Sequence, residues 1–176
     1  MKKFFSLLLL LTLTSIGFSQ RPEEPISDFG NTFQVDQPEF KTAINQKFNV
    51  VFDVGRSVTD HTSINPLIET AARFLNMHIL AGVPKENINI ALVIHGEAAN
   101  DLLTNTAYRG KFNVANPNAP LITALATHDI QVILCGQTAG YRELTKEMLL
   151  PEVDLALSAM TALVQLQNQD YRLIRF

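Results

Sequence analysis

Three short runs of aliphatic and β-branched residues constrain this chain more than any other feature: FNVVFDV at 48–54, INIALVI at 88–94 and IQVIL at 130–134. Each is almost continuously apolar, the mark of a strand covered on both faces. Between them lie longer segments with a helical repeat. After the first run, Asn65-Pro66 offers an N-cap followed by proline at the first helical position, and Leu67, Ala71, Leu75 and Ile79 recur at every fourth residue. Gly82 and Pro84 stop that helix. Strands alternating with helices in this way join in parallel through right-handed crossovers, so the expected class is α/β.

The remaining elements follow from the same signals. A short helix is predicted over 98–103, a loop over 108–116, and a helix opened by Asn118 and Pro120 that carries Leu121, Ile122 and Leu125 and closes at His128-Asp129. A loop after Cys135 leads to a helix of one or two turns near Thr145, then a fourth strand at 153–157. Ser158 is expected to cap a last helix whose buried face carries Met160, Leu163, Val164 and Leu166. YRLIRF, 171–176, alternates apolar and charged residues as an edge strand does. The architecture predicted is a three-layer sandwich around a mostly parallel five-stranded sheet.

The N-terminus obeys other rules. Lys2 and Lys3 precede an apolar stretch over 4–11, and Gly17 and Ser19 supply small residues for cleavage. Residues 1–19 therefore read as a secretory signal peptide, the apolar run being shorter than the roughly 20 residues of a membrane-spanning helix. The expected destination is the periplasm, or secretion, with no membrane segment in the mature form. Residues 20–46, punctuated by Pro22, Pro25, Gly30 and Pro38, read as an N-terminal arm, with a short edge strand around Phe33. Residues 47–176 form the α/β domain. The net charge of −3 and the lack of a basic run beyond Lys2-Lys3 exclude nucleic acid as the expected partner.

An exported chain with one cysteine forms no internal disulfide. Cys135 is then a small buried hydrophobe, a thiol kept for its chemistry, or a link to another chain. Its position matters because α/β sheets gather ligands beyond the carboxyl ends of their strands. Those ends carry Asp53 to Arg56, His95-Gly96, Cys135-Gly136 and Ser158. A cysteine leaving a strand into a helix start meets backbone N–H groups that favour thiolate. The small and polar Gly136, Gln137, Thr138, Ala139 and Gly140 keep the place accessible. His95 has the titration range of a proton donor or acceptor for that thiol, or else holds a loop by hydrogen bonds. Arg56 suits an anionic substrate, or is a solvated surface cation. Asp53 contacts a ligand or caps the turn at Gly55. Cys135 and His95 are thus the candidate catalytic pair, with Arg56, Asp53, Gly96, Gly136 and Gln137 as candidate substrate-binding residues.

Other chemistries lack support. No G-x-S-x-G elbow surrounds Cys135, the four histidines show no zinc-site spacing, and neither G-x-G-x-x-G nor G-x-x-x-x-G-K-[ST] occurs. His78 falls near the apolar stripe of its helix, where histidine serves as core or interface.

The strand-ending VIHG at 93–96, NPN at 116–118, VILCGQT at 132–138 and the tail from Pro151 to Phe176 together resemble the DsrE/DsrF-like family, in its exported single-domain branch. That resemblance covers residues 47–176. It implies homo-oligomers, often trimers or hexamers, and sulfur carried as a persulfide on a cysteine at the end of a central strand, which here is Cys135. It implies sulfurtransferase-like exchange with a donor and an acceptor protein, with no cofactor and no metal. Two function classes stay open: a sulfur carrier with a cysteine nucleophile, and a non-catalytic oligomeric module that binds a small ligand or a protein.

Overall fold

The computed structural model describes residues 23–176, so the signal-peptide reading at 1–19 lies outside the described residues. Five strands, β1 (Phe48–Val54), β2 (Ile88–Ile94), β3 (Gln131–Cys135), β4 (Val153–Ala156) and β5 (Arg172–Arg175), form one sheet in the order β4-β3-β2-β1-β5. Every pairing is parallel. The helices are α1 (Pro66–Leu80), α2 (Asn105–Phe112), α3 (Ala119–Thr127), α4 (Gly136–Tyr141) and α5 (Ala159–Asn168).

Strand alternation divides the core in two. Val50, Phe52, Val54, Leu92, Ile94, Val132 and Leu134 face one way, against Ile68, Ala71 and Leu75 of α1 and Leu121, Ile122 and Leu125 of α3. Val51, Ala91 and Val93 face the other way, against Ala162 and Leu166 of α5. The first layer holds most of the buried side chains, each worth about 1.5–3 kcal/mol for a fully buried Leu, Ile or Phe. The second layer is one helix wide.

That asymmetry corrects the expected face of α5. Leu166 is buried and Leu163 packs partly, but Met160 and Val164 are 75% and 57% exposed. Each lies two residues before a buried position, Ala162 or Leu166, and two residues turn a helix by about 200°, so they point to the far side. The apolar residues encircle this helix, and their spacing alone does not say which stripe meets the sheet.

Three other expectations change. The predicted loop at 108–116 contains most of α2, opened by the Thr104 side chain accepting from the Ala107 N–H and closed by Asn113 at φ 62°. Tyr108 is its single buried residue, too little for a visible periodicity. The helix expected near Thr145 is only a 3-10 turn, Lys146–Met148, and in place of the loop expected after Cys135 the helix α4 begins directly at Gly136. No strand forms around Phe33, which is 89% exposed. The arm is instead tied to α1: the Asn76 side chain accepts from the Ile26 N–H at 3.0 Å and donates to the carbonyls of Ile26, Phe29 and Gly30 at 2.9, 3.0 and 3.2 Å.

Candidate functional site

The carboxyl ends of β1, β2 and β3 converge as the alternation requires. Asp53 follows Val51 by two residues and Cys135 follows Ile133 by two, which puts both on the α5 side of the sheet. The β1–β2 pairing carries on past Val54↔Ile94, with the His95 N–H donating to Val54 O and the Glu97 N–H to Gly55 O, both at 3.0 Å. Gly96 sits at φ 57°, and a Cβ there would stand 2.7 Å from the Gly55 carbonyl, so both conformation and space require glycine.

Asp53 and His95 meet directly. His95 Nε2 lies 2.8 Å from Asp53 Oδ1, while Arg175 Nε, on β5, stands 3.6 Å from the other carboxylate oxygen. The Asp53 side chain is 10% exposed and that of His95 34%. An acceptor on Nε2 assigns the proton to that nitrogen in neutral imidazole and leaves Nδ1 as the acceptor. Gly55 lies against the ring: a Cβ there would come 2.7 Å from His95 Cε1.

Cys135 is the N-cap residue of α4 and 6% exposed. Burial pushes its thiol up, but hydrogen bonds from the Thr138 N–H and hydroxyl and from the N–H groups of Ala159 and Gln137 outweigh it and bring the thiol below the usual cysteine value. The donors come from the first turns of two helices, α4 and α5, whose dipoles act in the same sense. Thr138 also joins the halves of the site, its Oγ1 accepting from the Gly96 N–H at 3.2 Å. The sequence marks Thr138 only as one of the small and polar residues after Cys135 and as part of the VILCGQT run, not as a donor to the thiol.

The other sequence candidates are placed less centrally. Arg56 is exposed and donates through Nη2 to the Phe176 carbonyl at 3.2 Å, while Gln137 Nε2 donates to the Leu157 carbonyl at 3.2 Å. His95 bonds to Asp53 and makes no hydrogen bond to Cys135. The chain around Arg56 is held from below by a buried polar cluster that sequence reasoning missed. Asn65 Nδ2 donates to the Arg56 carbonyl at 2.8 Å and to Asp101 Oδ2 at 2.7 Å, and Ser57 Oγ donates to Asp101 Oδ1 at 2.8 Å. Burial raises the Asp101 carboxyl above its ordinary range, against the lowering from Asn65 and Ser57. Among the described residues no three His, Cys, Asp or Glu side chains are grouped to hold a metal ion.

The sequence pattern of the DsrE/DsrF-like family matches residues 46–176. The chain belongs to the DsrE/DsrF-like family. Solved structures share the fold, among them the following two. MTH1491 of Methanobacterium thermoautotrophicum, described as a protein of unknown function, is 18% identical, with 74% of this chain and 100% of that one covered at a TM-score of 0.56. The ychN protein of E. coli is 17% identical, with coverages of 74% and 99% and a TM-score of 0.52. No curated protein matches the sequence significantly. This DsrE-like chain has an all-parallel five-stranded sheet, and its fold matches those two structures.

Proposed function

We propose that this DsrE-like protein is an exported sulfur carrier that holds sulfur as a persulfide on Cys135. The observation that carries the reading is the thiol at the end of a central strand, facing the first turns of α4 and α5, with its proton affinity lowered by their donors. The Cys135 thiolate attacks the outer sulfur of a donor persulfide, RS–SH. A bond forms to Sγ, the donor S–S bond breaks, and RS⁻ leaves with the electron pair while the proton stays on the transferred sulfur. An acceptor thiolate then repeats the exchange on Cys135 persulfide and regenerates the Cys135 thiolate. His95, oriented by Asp53, supplies a basic Nδ1 at the rim for the acceptor's proton. The test is intact mass before and after incubation with polysulfide: wild type gains about one or more sulfur atoms, removed by reductant, and Cys135→Ser gains none.

A second reading rests on a different observation. Leu155 and Leu157, in and just after β4, and Met160 and Val164, on the outer face of α5, are 55–75% exposed. That apolar surface supports homo-oligomers, and a non-catalytic oligomeric module would use it with Cys135 as packing. Light scattering of the purified chain reports the oligomer, and a thiol that resists alkylation until the protein unfolds would favour the binding module.

A further inference from the structure

On the α1 side of the sheet, α1 and α3 pack over the central strands, whereas β5 lies outside β1 and the helix packed against it, α5, is on the other side. Val50 pairs with Arg172 and Phe52 with Ile174, so these two β5 residues share the α1 side of the sheet. A cavity of about 590 Å³ opens there between α1, the start of β1 and β5. Its volume falls among those of small-molecule sites, about 300–1,000 Å³. It is separate from the thiol site, since Asp53 and Cys135 stand at the carboxyl ends of their strands on the α5 side.

The cavity has an aromatic wall and an aliphatic floor. The His78 ring stacks on Phe74 at 3.9 Å between centroids and 29° between planes, and tilts against Phe48 at 4.6 Å. His78 Nδ1 lies 2.8 Å from the Phe74 carbonyl and donates to it, which fixes the orientation of the ring. Burial lowers the His78 pKa and keeps the imidazole neutral, so the wall adds no charge of its own. Val50 and Ile174 supply the floor.

Charge enters at the mouth, which Lys47, Arg172 and Asp170 line. Among the described residues neither cation forms a salt bridge or a side-chain hydrogen bond, although the acid is close at hand. Two uncommitted cations against one carboxylate leave this rim positive on a chain of net charge −3. The matching ligand has a flat apolar body and one negative charge. We propose that this cavity binds a small aromatic carboxylate, its ring against the His78–Phe74 wall and its carboxylate between Lys47 and Arg172. The site is independent of the sulfur-carrier reading.

The experiment titrates the purified chain with benzoate, benzyl alcohol and cyclohexanecarboxylate, following the Ile174 Cδ1 methyl and the His78 ring by NMR. Benzoate is expected to shift both saturably with Kd of about 10 mM or below, the floor for a ligand of its size. Benzyl alcohol, with the ring but no charge, binds at least about fivefold more weakly, the weight of exposed ion pairs. Cyclohexanecarboxylate, with the charge but no π-face, binds about two- to tenfold more weakly. Arg172→Glu, at an exposed position, weakens benzoate by about fivefold or more and leaves benzyl alcohol unchanged. No saturable shift with benzoate overturns the site. Equal binding of benzoate and benzyl alcohol, or benzoate binding unaffected by Arg172→Glu, overturns the selection for an anion, and equal binding of the two carboxylates overturns the selection for an aromatic ring.

Discussion

Replacing Asn76 by alanine gives a sharp test of how the arm is held. The side chain is fully buried on α1 and serves one N–H and three carbonyls of residues 26–30. With the arm still docked, the variant leaves the buried Ile26 N–H unpaired at a cost of about 1–3 kcal/mol, and the lost carbonyl bonds add roughly 0.5–1.5 kcal/mol each. Alanine returns at most about 0.7 kcal/mol through better helix propensity. The alternative is for residues 26–30 to leave α1 and bond to water, giving up mainly the burial of Ile26, about 1.5–3 kcal/mol. The two costs overlap, so the arm of Asn76→Ala opens far more often than that of wild type. Hydrogen exchange at the Ile26 amide reads this directly: an increase of about 30-fold or more is expected, at roughly tenfold per 1.4 kcal/mol, with β1 and β2 amides nearly unchanged. Unchanged exchange at Ile26, or equal acceleration in the arm and the sheet, refutes the idea that Asn76 holds the arm as a separable unit.

Three further outcomes are expected. Gly55→Ala places a methyl 2.7 Å from His95 Cε1, so the ring turns away from Asp53; the loss of about 0.5–1.5 kcal/mol for that bond is partly offset by the lower entropy of the unfolded chain, and the imidazole NMR shifts move while far-ultraviolet dichroism does not. Because the Cys135 thiol lies below the usual cysteine value, its alkylation rate reaches half its plateau at a lower pH than that of an unfolded cysteine peptide, and Thr138→Val moves the midpoint back up by removing one donor. Asp101 has a raised carboxyl, so the folded state holds its proton more tightly than the unfolded one; its contribution to stability is full at acid pH and is lost as pH rises from the ordinary carboxylate range through the raised value. Urea titrations should therefore show wild type losing stability relative to Asp101→Asn across that interval, and a pH-independent difference would count against it.

The strands were the most legible part of this fold, because β1, β2 and β3 are covered on both faces and so read as apolar runs. Their carboxyl ends followed, and with them Asp53, His95 and Cys135. What depended on side chains meeting across the chain was not legible. Nothing local marks Asn76 as the anchor of residues 26–30, since it is a polar residue within a helical stripe and its partners lie 46–50 positions away. Asp101 likewise acts through Ser57 and Asn65, 44 and 36 residues distant. For α5, apolar residues all round left the rotation of the helix undecided until its small residue, Ala162, was seen against the sheet. Arg56 and Gln137 lie at the predicted rim, yet each bonds to a main-chain carbonyl of this chain.

The place of β5 beside β1 has a kinetic consequence. The first strand of the domain pairs on one side with the last, Val50 with Arg172 through Asp53 with Arg175, across more than a hundred residues of chain. Closing so long a loop is entropically unfavourable before any of its contacts form, and an all-parallel sheet has no hairpin to shorten the search. The Arg175 contact to Asp53 cannot form before that closure, so the histidine pair gains this ionic neighbour only once β5 has docked. Until then the outer edge of β1 offers unpaired N–H and C=O groups to any other strand. For a chain with this topology, the time between synthesis and β5 docking is when aggregation competes with folding, and whatever lengthens that interval lowers the yield of native protein without changing its stability.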